Sequence, residues 1–365
     1  MTPKTSFDKE NVGNFPIPAF WETSFWEPVV QLAILQYCRP GQVVFDVGAN
    51  AGALTALMSR LVGPRGVVFA FEASPRIVAK THHNLVGAGC GNTQLIQRAV
   101  YRESGSYVKM YPGTHLNDSI YNDHGAAAGP SFEVETLALD DLVRDTGLMP
   151  SFVKMDIEGA EYDALLGAAN IISFARPVFV LEQSPGDMRC HQLLVDAEYT
   201  AVDLSSYRTI RSKSDFDPGV GIANVLFIPN ERVAGDPYVA CGSGEEVARL
   251  EAHDFDRDSS GGARLRIPLA LTAGRYRCVA RFESSHQSNE VFAGIDSNRG
   301  RLFRYHAYSG LLASSYRDWT FHLWRDASIS PFLEFVRGSD PALKWHGASI
   351  VHYPAFSNLR APTTW

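Results

Sequence analysis

The chain of 365 residues carries 45% apolar and 20% charged side chains, the balance of a folded protein with material for one large or two medium cores. A single small module and wholesale disorder are both excluded. Its 33 basic residues against 40 acidic ones leave a net charge of −7, so the chain as a whole is ill suited to a polyanion, and nucleic acid is not an expected partner.

The first residues, Met1 to Asn14, are polar and lack an apolar signal core, and no stretch approaches the ~18 apolar residues of a membrane span. Five cysteines, Cys38, Cys90, Cys190, Cys241 and Cys278, show no Cys-x-x-Cys pair. Their odd number and scatter speak for free thiols in a reducing compartment rather than a disulfide framework. A soluble, cytoplasmic protein is expected. Residues 1–40 read as an N-terminal helical and aromatic segment in which Phe15, Phe20, Trp21, Phe25 and Trp26 cluster with prolines. They either pack a helix onto the neighbouring sheet or wall an acceptor pocket.

Residues 41–230 read as one α/β domain. The runs Val43–Val47, Val67–Phe71, Phe152–Met155 and Val178–Leu181 read as buried parallel strands, and Val225–Pro229 as a last strand stopped by its proline. Helices fall at 53–61, 76–86, 138–144 and 160–168, the second opened by Ser74-Pro75, a cap followed by a first-turn proline. Strands alternating with helices specify a doubly wound parallel sheet, with its ligand at the C-terminal strand ends.

The segment Asp46-Val47-Gly48-Ala49-Asn50-Ala51-Gly52 follows the first strand and opens a helix. Its glycines permit a tight turn and close approach to a ligand. Glu72 closes the next strand, where a carboxylate can accept both hydroxyls of a ribose. NAD and S-adenosylmethionine share this geometry. The dinucleotide fingerprint needs a middle glycine where this chain has Asn50, and Asp46 would repel a pyrophosphate but could bind the ammonium of S-adenosylmethionine directly or through water. The methyl donor is favoured, with Asp46, Gly48, Asn50, Gly52, Glu72 and Ser74 as its expected contacts.

Three stretches together, Phe45–Gly52, Phe71–Pro75 and Phe152–Glu161 with its Lys-Met-Asp-Ile-Glu-Gly-Ala-Glu run, resemble the successive motifs of the FkbM family of S-adenosylmethionine-dependent methyltransferases. The resemblance covers residues 40–185. It implies a class I methyltransferase fold, a Rossmann-like, seven-stranded, mostly parallel sheet whose last strand is antiparallel, and methyl transfer to oxygen on sugars or polyketide natural products. Glu182-Gln183-Ser184-Pro185 departs from the family's glutamate, apolar residue and histidine at the end of the following strand.

The donor's sulfonium departs as a neutral thioether, so the protein has to align the acceptor in line and remove its hydroxyl proton. Asp156 and Glu182 end adjacent strands beside the glycine loop, and Glu158 and Glu161 follow Asp156. Either Asp156 or a neighbouring carboxylate takes the proton, with His115 as a second candidate, or Asp156 and Glu182 hold Mg²⁺, with Gln183 as a further ligand. Glu161 could instead favour a helix N-terminus. The resemblance brings the polar loop around His115, Asn117 and Ser119 to the catalytic face.

From residue 231 the pattern changes to period two, as in Arg275–Phe282, and the charge balance moves to +1, against −8 for residues 1–230. Residues 231–365 are therefore expected to form an all-β sandwich or jelly roll. Tyr305, Tyr308, Tyr316, Trp319, Trp324 and Trp345 could stack on sugar rings there, or fill its core or an interface of a homo-oligomer. The acceptor this suggests is a glycan or glycosylated metabolite. A non-catalytic carbohydrate-binding protein and an NAD-dependent sugar dehydrogenase are the rival readings.

Overall fold

Strands rich in Val and Phe, buried on both faces, organise the first part of the chain, as seen in a computed structural model that describes residues 27–113, 118–120, 129–216, 221–242, 244–259, 261–283, 290–298, 300–308, 316–323, 326–337 and 343–356. A helix α1 (Pro28–Tyr37) precedes β1 (Val43–Val47), α2 (Ala53–Val62), β2 (Val67–Phe71), α3 (Pro75–Gly87) and β3 (Thr93–Ile96). Next come β4 (Ala99–Val100), β5 (Tyr107–Met110), β6 (Phe132–Leu137), α4 (Leu139–Thr146), β7 (Phe152–Met155), α5 (Glu161–Leu166), β8 (Val178–Gln183), α6 (Arg189–Asp196), β9 (Tyr199–Asp203), β10 (Thr209–Ile210) and β11 (Ala223–Pro229).

The main sheet has the order β10-β9-β11-β8-β7-β1-β2-β3. Strands β3, β2, β1, β7 and β8 pair in parallel, and β11 runs antiparallel to both β8 and β9. The expected seven strands are corrected to eight. Beyond Asp203 the chain doubles back, the Asp203 N–H bonds the Arg208 carbonyl at 2.9 Å, and Thr209–Ile210 adds a short antiparallel edge strand beside β9. The order reverses at β1, between β2 and β7, so the C-terminal ends of these strands open a crevice suited to a ligand. A small sheet β4-β6-β5 stands apart.

The core consists of residues that the strands alternate onto the sheet faces, including Phe45, Phe69, Phe71, Met155, Phe179, Leu181, Val225 and Phe227. Phe45 packs edge-on against both Phe69 and Phe71, with ring centroids 5.4 and 5.8 Å apart. Pro75 fixes the first turn of α3 as its φ preference requires, but the Ser74 hydroxyl makes no cap bond. No described helix is long and apolar enough to cross a membrane.

Two compact units emerge from the contacts, one built on Val30–Leu204 and Arg208–Asp236, the other comprising Ser205–Tyr207 and most of the chain from Pro237. The second unit begins with the short helix α7 (Pro237–Ala240). Its strands are β12 (Glu245–Glu251), β13 (Phe255–Arg257), β14 (Ala263–Leu265), β15 (Leu269–Leu271), β16 (Gly274–Glu283), β17 (Glu290–Ser297), β18 (Gly300–Tyr308), β19 (Tyr316–Leu323), β20 (Ala327–Arg337) and β21 (Lys344–Tyr353). They form one antiparallel sheet β12-β21-β16-β19 and another β13-β14-β20-β17-β18, to which β15 adds beside β20. One hydrophobic cluster draws on both, with Cys278, Ala280, Ala348 and Ile350 from the first and Leu265, Ile295, Ile329 and Leu333 from the second. Trp345 is buried in it, its ring centroid 4.8 Å from that of Phe255, which fits the core role and not sugar stacking. Trp324, the side chains of Tyr305, Tyr308, Tyr316 and Trp319, and the aromatic cluster of residues 15–26 lie outside the described residues.

Candidate active site

Glycine geometry shapes the loop between β1 and α2. Gly48 and Gly52 have φ of +82° and +85°, and Asn50 between them +50°, a region that Asn tolerates better than most residues. A Cβ on Gly48 would collide with the backbone carbonyl of Asp156. The glycine is therefore required by the closeness of β7's end, and that end forms the second wall of the crevice.

The loop consumes its own backbone donors. Gly48 and Ala49 both donate to the Phe71 carbonyl, at 3.0 and 2.8 Å, and Gly52 donates to Ala49 at 2.9 Å. The Asn50 N–H reaches Glu72 Oε2 at 2.9 Å, and the Ala51 N–H is taken by the Asn50 side chain at 2.7 Å. From α3, Asn84 donates to the Ala51 carbonyl at 2.7 Å and Thr81 to that of Asn50.

Glu72 ends β2 with 7% exposure. Its other oxygen accepts the Ser74 N–H at 2.9 Å, so Ser74, itself fully buried, acts on Glu72 through its backbone. Burial pushes the Glu72 carboxyl up to about 7, against the pull of the Ser74 and Asn50 N–H groups. Each carboxylate oxygen carries two acceptor sites, so with one N–H on each oxygen Glu72 keeps capacity for the two hydroxyls of a ribose.

Asp46, expected to bind an ammonium directly or through water, lies beneath the loop. Its register between β2 and β7 buries it completely. One oxygen accepts the Thr55 hydroxyl and the other faces Lys154 Nζ at 3.8 Å. Asp46 therefore braces the loop from beneath. Burial raises its carboxyl above the ordinary range, and the Lys154 charge and the Thr55 hydrogen bond oppose that rise.

Lys154, 4% exposed in β7, donates to the Gly48 carbonyl at 3.0 Å and lies 3.5 Å from Asp156 Oδ2. It is absent from the residues expected at the site, although a lysine inside the apolar run Phe-Val-Lys-Met was its signal: a buried ammonium needs oxygen around it. Asp156, half-buried, continues β7 by donating its N–H to the Val47 carbonyl at 3.0 Å.

Beyond Asp156 the chain turns through Glu158 and Gly159, with φ of +56° and +101°. Glu161 holds this turn. Its carboxylate is buried and accepts the N–H of Ile157 at 2.8 Å and of Gly159 at 3.4 Å, and burial lifts it to about 7. Ser119 donates its hydroxyl to the Glu158 carbonyl at 2.9 Å, which brings the segment around Ser119 to this wall. His115 and Asn117 lie outside the described residues.

Glu182 is half-buried near the end of β8, opposite Asn224 of β11. It occupies the register position beside Asp156, one past the Met155–Leu181 pair. The Mg²⁺ reading of Asp156 and Glu182 gains no support: among the described residues no three His, Cys, Asp or Glu side chains are grouped to hold an ion, and Lys154 Nζ lies 3.5 Å from Asp156.

Residues 46–199 match the family model described as the Methyltransferase FkbM domain. No curated protein matches the chain. Among solved structures, similarity extends to the methyltransferase FkbM of Methylobacillus flagellatus, at 15% identity and TM-score 0.37, over 56% of this chain and 47% of that one, about half its length. A SAM-dependent methyltransferase from Aquifex aeolicus is 14% identical, with TM-score 0.32, over 61% of this chain and 100% of that one. The fibrillarin of Aeropyrum pernix, solved with natively bound S-adenosyl-L-methionine, is 14% identical, with TM-score 0.32, over 54% and 73%.

Proposed function

We propose that this chain, whose residues 46–199 form a methyltransferase FkbM domain, transfers a methyl group from S-adenosylmethionine to a hydroxyl oxygen of a glycan or glycosylated metabolite. The observation that carries the cofactor assignment is the loop's donor balance. All five backbone N–H groups from Gly48 to Gly52 are satisfied within the protein. A dinucleotide loop presents such groups to a pyrophosphate, and this one has none left to present, while the Glu72 carboxylate beside it suits the ribose of either cofactor. A nucleoside without phosphates suits it.

When bound, S-adenosylmethionine supplies a methyl group activated by its sulfonium. Glu72 accepts the ribose hydroxyls, the loop over Gly48 sets how closely the donor approaches β7, and Asp156 at that strand's end accepts the acceptor's proton. Glu161 keeps the 157–159 turn in shape by capping its N–H groups. Glu158 and Glu182 border the acceptor side and orient its remaining hydroxyls, and His115 is assigned to the same side by the resemblance. The second unit, read as a β-sandwich, binds the extended acceptor.

Titration calorimetry with S-adenosylhomocysteine and NAD tests the cofactor assignment: micromolar binding of the first and none of the second is expected, and the reverse would establish a dehydrogenase. A glycan panel incubated with S-adenosylmethionine and read by mass spectrometry tests the acceptor. The expected product is heavier by one methylene. A chain that binds glycans and S-adenosylhomocysteine but yields no such product would be a carbohydrate-binding protein.

A further inference from the structure

Strands β1 and β7 each deliver two groups to one small area. Asp46 and Lys154 are direct register partners. Residues two apart on a strand share a face, so Gly48 follows Asp46 and Asp156 follows Lys154 onto the same side. The result is one buried ammonium set among three oxygens: the Gly48 carbonyl at 3.0 Å, Asp156 Oδ2 at 3.5 Å and Asp46 Oδ1 at 3.8 Å. Gly48 belongs to the donor loop and Asp156 to the acceptor wall, so Lys154 is the side chain that touches both.

We propose that Lys154 is a positioning residue of the methyl-transfer end: it fixes the Asp156 carboxylate against the donor loop and sets the charge that a sulfonium meets there. This inference rests on the reading of the domain as an S-adenosylmethionine site. Two carboxylates without the ammonium would hold a cationic donor tightly in its ground state. With the ammonium between them, the attraction is reduced and the Asp156 oxygen stays in one place for the acceptor.

The test compares S-adenosylmethionine, a sulfonium cation, with S-adenosylhomocysteine, its neutral thioether, by calorimetry on the full chain at neutral pH and low salt. Lys154→Met is expected to shift the affinity ratio toward S-adenosylmethionine by about fivefold or more, since a charge is removed close to the sulfonium in a low-dielectric site. Lys154→Arg keeps the charge and should hold the ratio within about twofold of wild type. A purely structural lysine would weaken both ligands alike, and an unchanged ratio in Lys154→Met overturns the proposal. If Lys154→Met fails to fold because Asp46 is stranded, Asp46→Asn and the double variant Lys154→Met/Asp46→Asn provide the same comparison with that carboxylate gone. Wild-type protein that binds neither ligand would overturn the cofactor reading and this inference with it, a result visible before any variant is made.

Discussion

Arg76 grips Asp118 from the first turn of α3: its Nε donates to one carboxylate oxygen at 3.1 Å, its Nη2 to the other, and Nη2 also reaches the Gly113 carbonyl at 2.9 Å. The Gly113 N–H returns a bond to Asp118 at 3.0 Å, and Tyr111 and Ser119 close the segment by an antiparallel bridge. Because Ser119 also holds the Glu158 carbonyl, the pair secures one side of the crevice.

Burial alone would raise the Asp118 carboxyl, but the Arg76 hydrogen bond and the Gly113 N–H hold it below the ordinary carboxylate range. A depressed carboxyl stabilises the fold above its unfolded pKa, and that contribution is lost as pH falls through the folded value. Arg76→Ala should lower the unfolding free energy by about 1–2 kcal/mol at pH 7, less than for a fully buried pair because the arginine is 42% exposed and screened. Urea melts of wild type and variant at successive pH values check this: the two curves should converge in acid.

Gly48 and Gly41 make a matched pair, with φ of +82° and +85°. A Cβ on Gly41 meets nothing within 4 Å, whereas one on Gly48 strikes the Asp156 carbonyl. Gly41→Ala should cost about 1–2 kcal/mol, the strain of a left-handed alanine. Gly48→Ala should cost more and abolish S-adenosylhomocysteine binding. Equal losses from the two variants would mean that Gly48 serves only as a turn.

Glu72 accepts the Asn50 and Ser74 N–H groups besides being the proposed ribose contact, so its removal tests both roles together. Glu72→Ala should weaken S-adenosylhomocysteine by about 1.5–3 kcal/mol, the range for a charge-assisted hydrogen bond. Calorimetry on folded variant protein measures it, and undiminished affinity would remove Glu72 from the site.

Burial holds the Glu72 carboxyl at about 7, so the ligand-free protein binds a proton there that the unfolded chain has already released. Between the ordinary glutamate range and pH 7 the native state carries more protons than the unfolded one, and this contribution to stability therefore falls as pH rises. A ligand whose hydroxyls donate to Glu72 favours the carboxylate. S-adenosylhomocysteine should bind more tightly at pH 8 than at pH 6, with proton release detected by repeating the titration in buffers of different ionisation enthalpy. Glu161 titrates in the same range, so the Glu72→Gln variant identifies the source: it should bind without the proton release.

Continuous apolar strands were the most legible part of the chain. Val43–Val47, Val67–Phe71 and Phe152–Met155 form strands with the bounds read from sequence, because strands buried on both faces leave uninterrupted runs. The two residues of β10 carry no periodicity, and its hairpin is defined by pairing with β9. In the second unit β14 (Ala263–Leu265) and β15 (Leu269–Leu271) are separate strands, with Pro268 before the second lacking the N–H that a ladder needs. Near the glycine loop, the position of Glu72 at the end of β2 was legible from the apolar run before it. The burial of Asp46 was not legible because it depends on neighbours from β2 and β7, and Lys154 was missed because its oxygens come from three separate stretches of chain. Glu161 and its two N–H partners were half visible, since a carboxylate at a helix start has the same sequence signature whether it faces the helix or the turn before it.

The satisfied amides of the 48–52 loop also bear on which metabolites compete for the crevice. ATP, ADP and GTP share a purine nucleoside with the donor, and Glu72 by itself would accept their ribose as readily. Their phosphates, however, would meet a loop with no N–H left to offer. On the proposed reading, discrimination would come by exclusion, at no cost in contacts to the donor. On that reading, methyl transfer would continue amid an abundant nucleotide pool, and inhibition would be left to the thioether product.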